Sequence, residues 1–189
     1  MCILFFTLPF EKRVYAFIPV FAFWIIYYAW IYMEKRETTK GNDLTVNQRQ
    51  ATSNDYEDIL KLWEKSVFAT HDFVKFEDWQ EIKKEIPSYL PHLDVRIWYI
   101  DDLMIGFSSI NNHQLEMLFL NPDEIGKGYG AKILITLIND FKVETVDVNK
   151  DNEQAKRFYL KHGFMVVSED ETDSAGRPYP ILHLKLKDT

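Results

Sequence analysis

The sequence contains very little cysteine and fewer basic than acidic side chains. Cys2 is the only cysteine among the 189 residues, which excludes an internal disulfide and any metal centre built from several thiolates. Lys and Arg number 22 against 29 Asp and Glu, so the net charge is −7. An acidic chain lacks the positive surface that a phosphate backbone requires, and we expect no nucleic-acid partner.

Signatures of several common enzyme classes are also absent from the sequence. It has no Gly-x-Ser-x-Gly nucleophile elbow and no P-loop. The five histidines include His113 and His162, but none has the spacing of metal ligands. The sequence therefore predicts no metal site. A chain without disulfides is compatible with a reducing cytoplasm.

The N-terminal segment, residues 1–33, differs in composition from the rest of the chain. Residues 14–33 form an uncharged run of 20 residues that is interrupted only by Pro19. About 20 apolar residues match the hydrocarbon thickness of a bilayer. This run predicts one transmembrane helix, through which the protein would be anchored to a membrane. An alternative is that translation begins downstream, for instance at Met33, and that the segment is never made.

A polar stretch without periodicity, residues 34–46, follows the apolar run and is predicted to be a linker. Residues 47–189 then form the predicted catalytic domain, which we expect in the cytoplasm. Apolar spacing there indicates alternating strands and helices, an α/β (α+β) fold. The predicted strands are about 46–51, 95–100, 103–110, 115–120, 143–149, 164–168 and 180–186, and the predicted helices about 53–68, 76–89, 131–141 and 152–162.

The segment Gly126-Lys127-Gly128-Tyr129-Gly130-Ala131 leads directly into the third of these helices. A glycine-rich loop at a helix N-terminus presents unpaired N–H groups and the positive end of the helix dipole. Such a loop is suited to hold a pyrophosphate. The loop also fits the dinucleotide pattern G-x-G-x-x-G/A, with Asp147 near the place of the ribose-binding acid. That reading is disfavoured because Asn121 to Ile125 separate the strand from the first glycine.

The stretch from Leu115 to Phe164 resembles the GNAT superfamily of acyl-CoA-dependent N-acetyltransferases. Three segments carry the resemblance in the family's order and spacing: LEMLFLNP, GKGYGAKIL and NEQAKRFYLKHGF. The chain departs from the family at Ile125, where Gln or Arg is usual, but the backbone loop does not depend on that side chain. The resemblance implies a mixed β-sheet, flanked by helices, that splays between the strand of Glu116 and the strand of Val146.

The same resemblance implies the reaction, which is N-acetylation of a primary amine of a small molecule or a protein by acetyl-CoA. The amine would attack the thioester directly in a ternary complex. Glu116 would be the general base, and Tyr159 would protonate the departing thiolate. Backbone amides at the end of the Glu116 strand would polarise the thioester carbonyl. The predicted cofactor-binding residues are Leu118, Phe119, Leu120, Gly126, Lys127, Gly128, Tyr129, Gly130, Ala131 and Asn152.

Other interpretations of these side chains stay open at this point. Asn152 is also a good helix N-cap, and Lys127 is equally well a solvated loop lysine. His71 and Phe73 lie in the break between the first two helices, where the family binds its amine acceptor, so they are candidate substrate residues. They are alternatively a turn histidine and a core phenylalanine. A second function is a non-catalytic acyl-CoA-binding regulatory module, although the retention of Glu116 together with Tyr159 favours an enzyme.

Overall fold

A computed structural model describes residues 45–187 of the chain. The predicted transmembrane helix at 14–33 and nearly all of the predicted linker at 34–46 lie outside the described residues. Within residues 45–187, no helix is long and apolar enough to cross a membrane.

The described part of the chain forms a seven-stranded sheet with helices on both of its faces. Each predicted strand and helix of the domain is confirmed, with small shifts at the ends. The elements are β1 (Asn47–Gln50), α1 (Tyr56–Thr70), α2 (Phe76–Tyr89), β2 (Asp94–Ile100), β3 (Leu103–Asn111), β4 (Gln114–Leu120), α3 (Tyr129–Phe141), β5 (Thr145–Asn149), α4 (Glu153–Lys161), β6 (Phe164–Asp170) and β7 (Ile181–Leu186).

The strand order is β1-β2-β3-β4-β5-β7-β6, and the sheet is mixed, as predicted. β4 and β5 run parallel, whereas every other neighbouring pair is antiparallel. The parallel pair is joined through the loop before α3 and α3 itself, since parallel neighbours need a long crossover. This crossover places the glycine-rich loop at the end of β4 where β4 and β5 separate.

The sheet opens between β4 and β5. The two strands pair only through Gln114 with Thr145 and Leu115 with Val146. A β-bulge in β4 follows at once, because Met117 pairs with Ser109 and Leu115 with Ile110, which leaves Glu116 without a partner on β3. A bulge bends its strand and increases the local twist. The predicted splay is therefore present, and Glu116 lies where it begins.

Two apolar layers cover the faces of the sheet. On one face, α1 and α2 pack against Val95, Ile97 and Phe107. Successive strand residues point to opposite faces, so Leu120 faces away from Phe119 and the α1 layer. Leu120 lies against the start of α3, 3.1 Å from the position that a Cβ on Gly130 would occupy. The end of β4 thus lies between two apolar layers, one formed with α1 and α2 and the other with α3.

The start of α1 differs from its prediction. We expected Ser53 or Asn54 to cap the helix, but the structure has a short 3₁₀ turn over Ser53–Asp55 whose N-cap is Thr52. The Asp55 carboxylate accepts the Thr52 N–H at 2.8 Å and a guanidinium N–H of Arg49 at 2.7 Å. These hydrogen bonds, with that of Arg49 the largest, lower the pKa of Asp55. Thr52 and Asp55 thus cap the turn within four residues, and Arg49 at the end of β1 adds a charged hydrogen bond to the same carboxylate.

Gly106 lets β3 approach β4 beside the site. A Cβ at Gly106 would lie 2.6 Å from the Phe119 carbonyl oxygen, so Gly106→Ala must push the two strands apart. We expect a loss of about 1–3 kcal/mol in the free energy of unfolding, measured by urea denaturation. Ser109→Ala in the same strand is the matched control, because the buried Ser109 hydroxyl has no hydrogen-bond partner in residues 45–187. Equal stability of Gly106→Ala and the parent protein would contradict the close approach.

Candidate active site

A cleft of about 590 Å³ occupies the gap between β4 and β5. This volume lies within the range of small-molecule sites. The cleft is bordered by the end of α1, by the separating strands, by the glycine-rich loop and by one face of α4. It brings together most of the predicted site residues, namely His71, Glu116, Leu118, Phe119, Leu120, Gly126, Gly128, Gly130, Ala131, Asn152 and Tyr159.

The glycine-rich loop at one end of the cleft presents a run of unbonded amides. No N–H from Gly126 to Ala131 donates a hydrogen bond within the described residues, and the ladder of α3 begins with Lys132 N–H to Gly128. Gly126 and Gly128 both have φ near +86°, and a Cβ on either would meet nothing within 4 Å. This left-handed backbone favours glycine. The loop is therefore an open anion cradle at the positive end of a helix dipole.

The side chains of Lys127 and Tyr129 do not line the cleft. The Lys127 ammonium lies 3.0 Å from the mostly buried carboxylate of Glu124, and Lys65 lies 2.6 Å from Asp123. Two ion pairs thus stabilise the loop and the turn before it on the side away from the cleft. In this arrangement Lys127 supports the loop from outside the cleft, while the backbone amides face it.

The backbone amides at the end of β4 divide between the two sides of the strand. The Asn121 N–H donates to the Ile105 carbonyl at 2.8 Å, and hydrogen bonds to an antiparallel neighbour come from alternate residues. The N–H of Phe119 therefore points toward β3, whereas those of Leu118 and Leu120 point toward the gap. Of the three predicted donors to a thioester carbonyl, Leu118 and Leu120 have the required direction and Phe119 does not.

Tyr159 on α4 combines burial with access to the cleft. The residue is 6% exposed, and its ring packs edge-on against Phe164 with centroids 5.6 Å apart. Its hydroxyl makes no hydrogen bond to any described residue. Burial raises the pKa of the Tyr159 phenol above its usual value, because a phenolate would lose its hydration. Tyr159 is consequently held as a protonated donor.

Glu116 and Asn152 lie on the two sides of the gap. Glu116 is exposed at the mouth of the cleft, and its carboxylate lies 3.4 Å from the side-chain amide of Asn111. Asn152 follows β5, and its Oδ1 accepts the Ala155 N–H at 3.0 Å. Asn152 is therefore an N-cap of α4, as its alternative reading had it. Its Nδ2 remains directed at the cleft.

His71 and Phe73 are separated by the structure. The His71 ring lines the cleft and lies 3.4 Å from Asn152 Nδ2. Phe73 packs on the outer side of His71, with centroids 5.3 Å apart, and does not line the cleft. Burial is the larger influence and lowers the pKa of His71, while the charge of Asp72 opposes that shift. His71 is consequently a neutral imidazole at neutral pH.

Several residues of the site were not predicted from the sequence. Ser66 and Thr70 on α1, Asp147 on β5 and Arg157 on α4 all line the cleft. The helical spacing of Ser66 and Thr70 before His71 is a signal that would have found them. Asp147 has no local signal, because its place depends on how β5 diverges from β4.

The comparisons with known proteins agree with this geometry. A family model described as an acetyltransferase (GNAT) domain matches residues 50–180. The peptidyl-lysine N-acetyltransferase YjaB of Escherichia coli (strain K12) is 32% identical over 142 residues, which cover 75% of this chain and 97% of YjaB. The solution structure of apo-form YjaB has a TM-score of 0.71 and covers 77% of this chain and 99% of that one.

A second solved structure shares the fold at lower identity. The PaiA N-acetyltransferase of Thermoplasma acidophilum, in complex with coenzyme A, is 20% identical with a TM-score of 0.55, covering 75% of this chain and 99% of that one. The family model and YjaB identify the protein as an acetyltransferase rather than a non-catalytic binding module. The chain belongs to the GNAT family.

The ionisation of Tyr159 is directly measurable. We expect the ultraviolet difference spectrum between the parent and Tyr159→Phe to show no phenolate step near pH 10, because burial raises the pKa of this phenol well above about 10. Tyr89→Phe is the matched control, since Tyr89 is 56% exposed. Circular dichroism at each pH verifies that the protein stays folded. A phenolate step near pH 10 that is assigned to Tyr159 would contradict its burial.

Proposed function

We propose that this protein transfers the acetyl group of acetyl-CoA to the ε-amine of lysine in a protein or peptide. The amine attacks the thioester directly in a ternary complex. The observation that carries this proposal is the continuity of one cleft, which runs from the open amide cradle at Gly126–Ala131 to the buried hydroxyl of Tyr159. The name of the relative YjaB supports a lysine acceptor.

The donor fits the cleft by its chemistry. Its pyrophosphate would accept hydrogen bonds from the free amides of the loop, where the helix dipole favours negative charge. Its pantetheine arm carries amide groups, which would pair with the edge of β4 that β5 leaves free beyond Leu115. The amides of Leu118 and Leu120 would then point at the thioester carbonyl, where negative charge develops during attack.

The reaction requires proton transfer from the attacking amine and to the departing thiolate. A lysine amine is an ammonium at neutral pH and must lose a proton before it can attack. Glu116, exposed at the mouth of the cleft, is placed to receive the cation and to pass that proton to solvent. The departing thiolate gains its proton from the Tyr159 hydroxyl, which burial keeps protonated.

Two carboxylates at the splay suit a cationic acceptor, while the basic side chains that line the cleft, Arg157 and Lys161, belong to α4. Glu116 and Asp147 both line the cleft, one on each side of the splay, and the whole chain carries a net charge of −7. Opposite charge raises the encounter rate of a lysine-bearing segment and orients its approach. The anionic donor is received at the other end of the cleft, by backbone dipoles.

The catalytic assignment is tested with full-length protein, acetyl-CoA and a panel of lysine peptides. We expect Tyr159→Phe to lower kcat by about 10²-fold or more, with little change in acetyl-CoA affinity, because the hydroxyl is needed only when the thiolate forms. Glu116→Gln should shift or flatten the pH–rate profile if Glu116 is a base in the reaction. Tyr89→Phe is the control for a lost hydroxyl. If both site variants turn over like the parent on the best peptide, the assigned roles are wrong.

The donor site is tested separately from catalysis. Gly128→Val would put a branched side chain into the open space before the loop amides, at φ +86°. We expect acetyl-CoA affinity, measured by calorimetry, to fall at least about tenfold, or about 1.4 kcal/mol.

Gly176→Val is the matched control for Gly128→Val. Gly176 also has positive φ, +77°, and open space at its Cβ, but it lies in the loop between β6 and β7. It should carry a similar backbone strain and bind acetyl-CoA like the parent. Undiminished affinity in folded Gly128→Val would place the pyrophosphate elsewhere.

A further inference from the structure

His71 bridges the two sides of the open sheet. It follows directly after α1, and its ring centroid lies 6.2 Å from that of Phe119 on β4. Its Nε2 lies 3.4 Å from Nδ2 of Asn152, which comes after β5. The imidazole therefore contacts residues on both sides of the gap, Phe119 on β4 and Asn152 after β5.

The hydrogen bonds around His71 determine its tautomer. The Thr70 hydroxyl has one proton, and it donates that proton to the Ser66 carbonyl at 2.8 Å. Thr70 Oγ1 also lies 2.8 Å from His71 Nδ1, so with its proton given to Ser66 this oxygen accepts from Nδ1–H. A neutral imidazole has one N–H. Nε2 is consequently left with a free lone pair on the cleft side.

The amide of Asn152 agrees with this assignment. Its Oδ1 accepts the Ala155 N–H at 3.0 Å as the cap of α4, which fixes Nδ2 as the atom facing His71. Nδ2 is a donor, so it can only face an acceptor on the imidazole. At 3.4 Å the contact is long for a hydrogen bond. The Nε2 lone pair is therefore oriented by Asn152 while remaining available to a closer donor.

The surroundings keep this imidazole neutral. Burial lowers the pKa of His71 below its usual value, and Asp72 is the charge that opposes the shift. Glu116 on β4 is exposed and directed at the mouth of the cleft. The ionisable groups that line the cleft with His71, by element, are Glu116 on β4, Asp147 on β5, Arg157, Tyr159 and Lys161 on α4, and His162 directly after α4.

We propose that His71 Nε2 is a second base, which removes the proton that the amine nitrogen must lose after it attacks the thioester. The inference rests on the proposed transfer to lysine. An ammonium becomes an amide by losing two protons. The first leaves before attack, toward Glu116 and solvent, and the second leaves after the C–N bond has formed.

A weak base is strong enough to remove the second proton. Once the C–N bond forms, the nitrogen is positively charged in the tetrahedral adduct and is far more acidic than the starting ammonium. A neutral imidazole accepts that proton and later returns it to solvent. The C–S bond breaks, and the thiolate takes one proton from Tyr159, which is reprotonated from solvent. The carboxylate of Glu116 at the mouth thus takes part in the first deprotonation, and the imidazole of His71 inside the cleft carries out the second.

Thr70 is a positioning residue in this scheme. Its hydroxyl is the acceptor that selects the Nδ1–H tautomer and so leaves Nε2 free. Thr70→Val keeps the shape of the side chain but removes that acceptor, whereas Thr70→Ser keeps it. The pair separates hydrogen bonding from packing.

Two substitutions of His71 separate base catalysis from simple hydrogen bonding. Glutamine at this position offers an oxygen acceptor near the place of Nε2 but has no proton affinity, and asparagine keeps a donor toward Thr70 and lacks the acceptor. We expect both His71→Gln and His71→Asn to lower kcat on a lysine peptide by about 10²–10⁴-fold. The acetyl-CoA dissociation constant should stay unchanged, and His92→Gln, at an exposed turn residue, should behave like the parent.

The pH profile and the ring spectrum provide readouts that a structural role would not move. A base acts when deprotonated, so parent kcat should fall as pH drops through the lowered pKa of His71, and this limb should vanish in His71→Gln. Long-range ¹⁵N spectra of the parent should show Nδ1 protonated and Nε2 free, with the Nδ1–H preference lost in Thr70→Val and kept in Thr70→Ser.

Three results would overturn the proposal. They are an Nε2–H tautomer in the parent, full rescue of kcat by glutamine, and an unchanged pH profile in His71→Gln. A parent enzyme that acetylates no lysine peptide would contradict the proposed function instead, and the ring spectrum would still report whether His71 has the free lone pair that the proposal requires.

Discussion

The loss of pairing between β4 and β5 is the constraint on which the rest of this structure depends. After Leu115 and Val146 the strands separate, and the bulge at Glu116 turns β4 at that point. The separation exposes backbone groups that a closed sheet would satisfy internally. Such groups need partners, and in this open cleft solvent or a ligand with amide and carbonyl groups can supply them.

Burial at this cleft shifts the pKa values of two ionisable side chains in opposite directions, and both side chains become neutral. Desolvation raises the pKa of Tyr159 and lowers that of His71, so both groups are neutral at neutral pH. One is then a proton donor and the other a proton acceptor. Acid and base are kept apart by the same apolar packing, because Tyr159 belongs to α4 and His71 follows α1.

The position of His71 depends on contacts far along the chain. Tyr179, just before β7, donates its hydroxyl to Asp78 on α2 and accepts the Lys75 N–H at 3.0 Å. These bonds hold the connection between α1 and α2, where His71, Asp72 and Phe73 lie, against the loop after β6. The wall of the cleft next to His71 is therefore built by three segments of the chain. A change at any of them would shift His71 through packing.

Local information in the sequence determined the elements and the anion loop. The 3.6-residue and two-residue periods, the break at Asn121-Pro122 and the glycines at 126, 128 and 130 are each readable from neighbouring residues. The tertiary structure decided the rest, because it fixes directions that residue spacing leaves open: the Phe119 N–H points toward β3, the Lys127 ammonium pairs with Glu124 outside the cleft, and Thr52 caps its turn with Asp55 and Arg49. It also decided that His71 meets Asn152, 81 residues away, since that contact exists only once the sheet has opened between them.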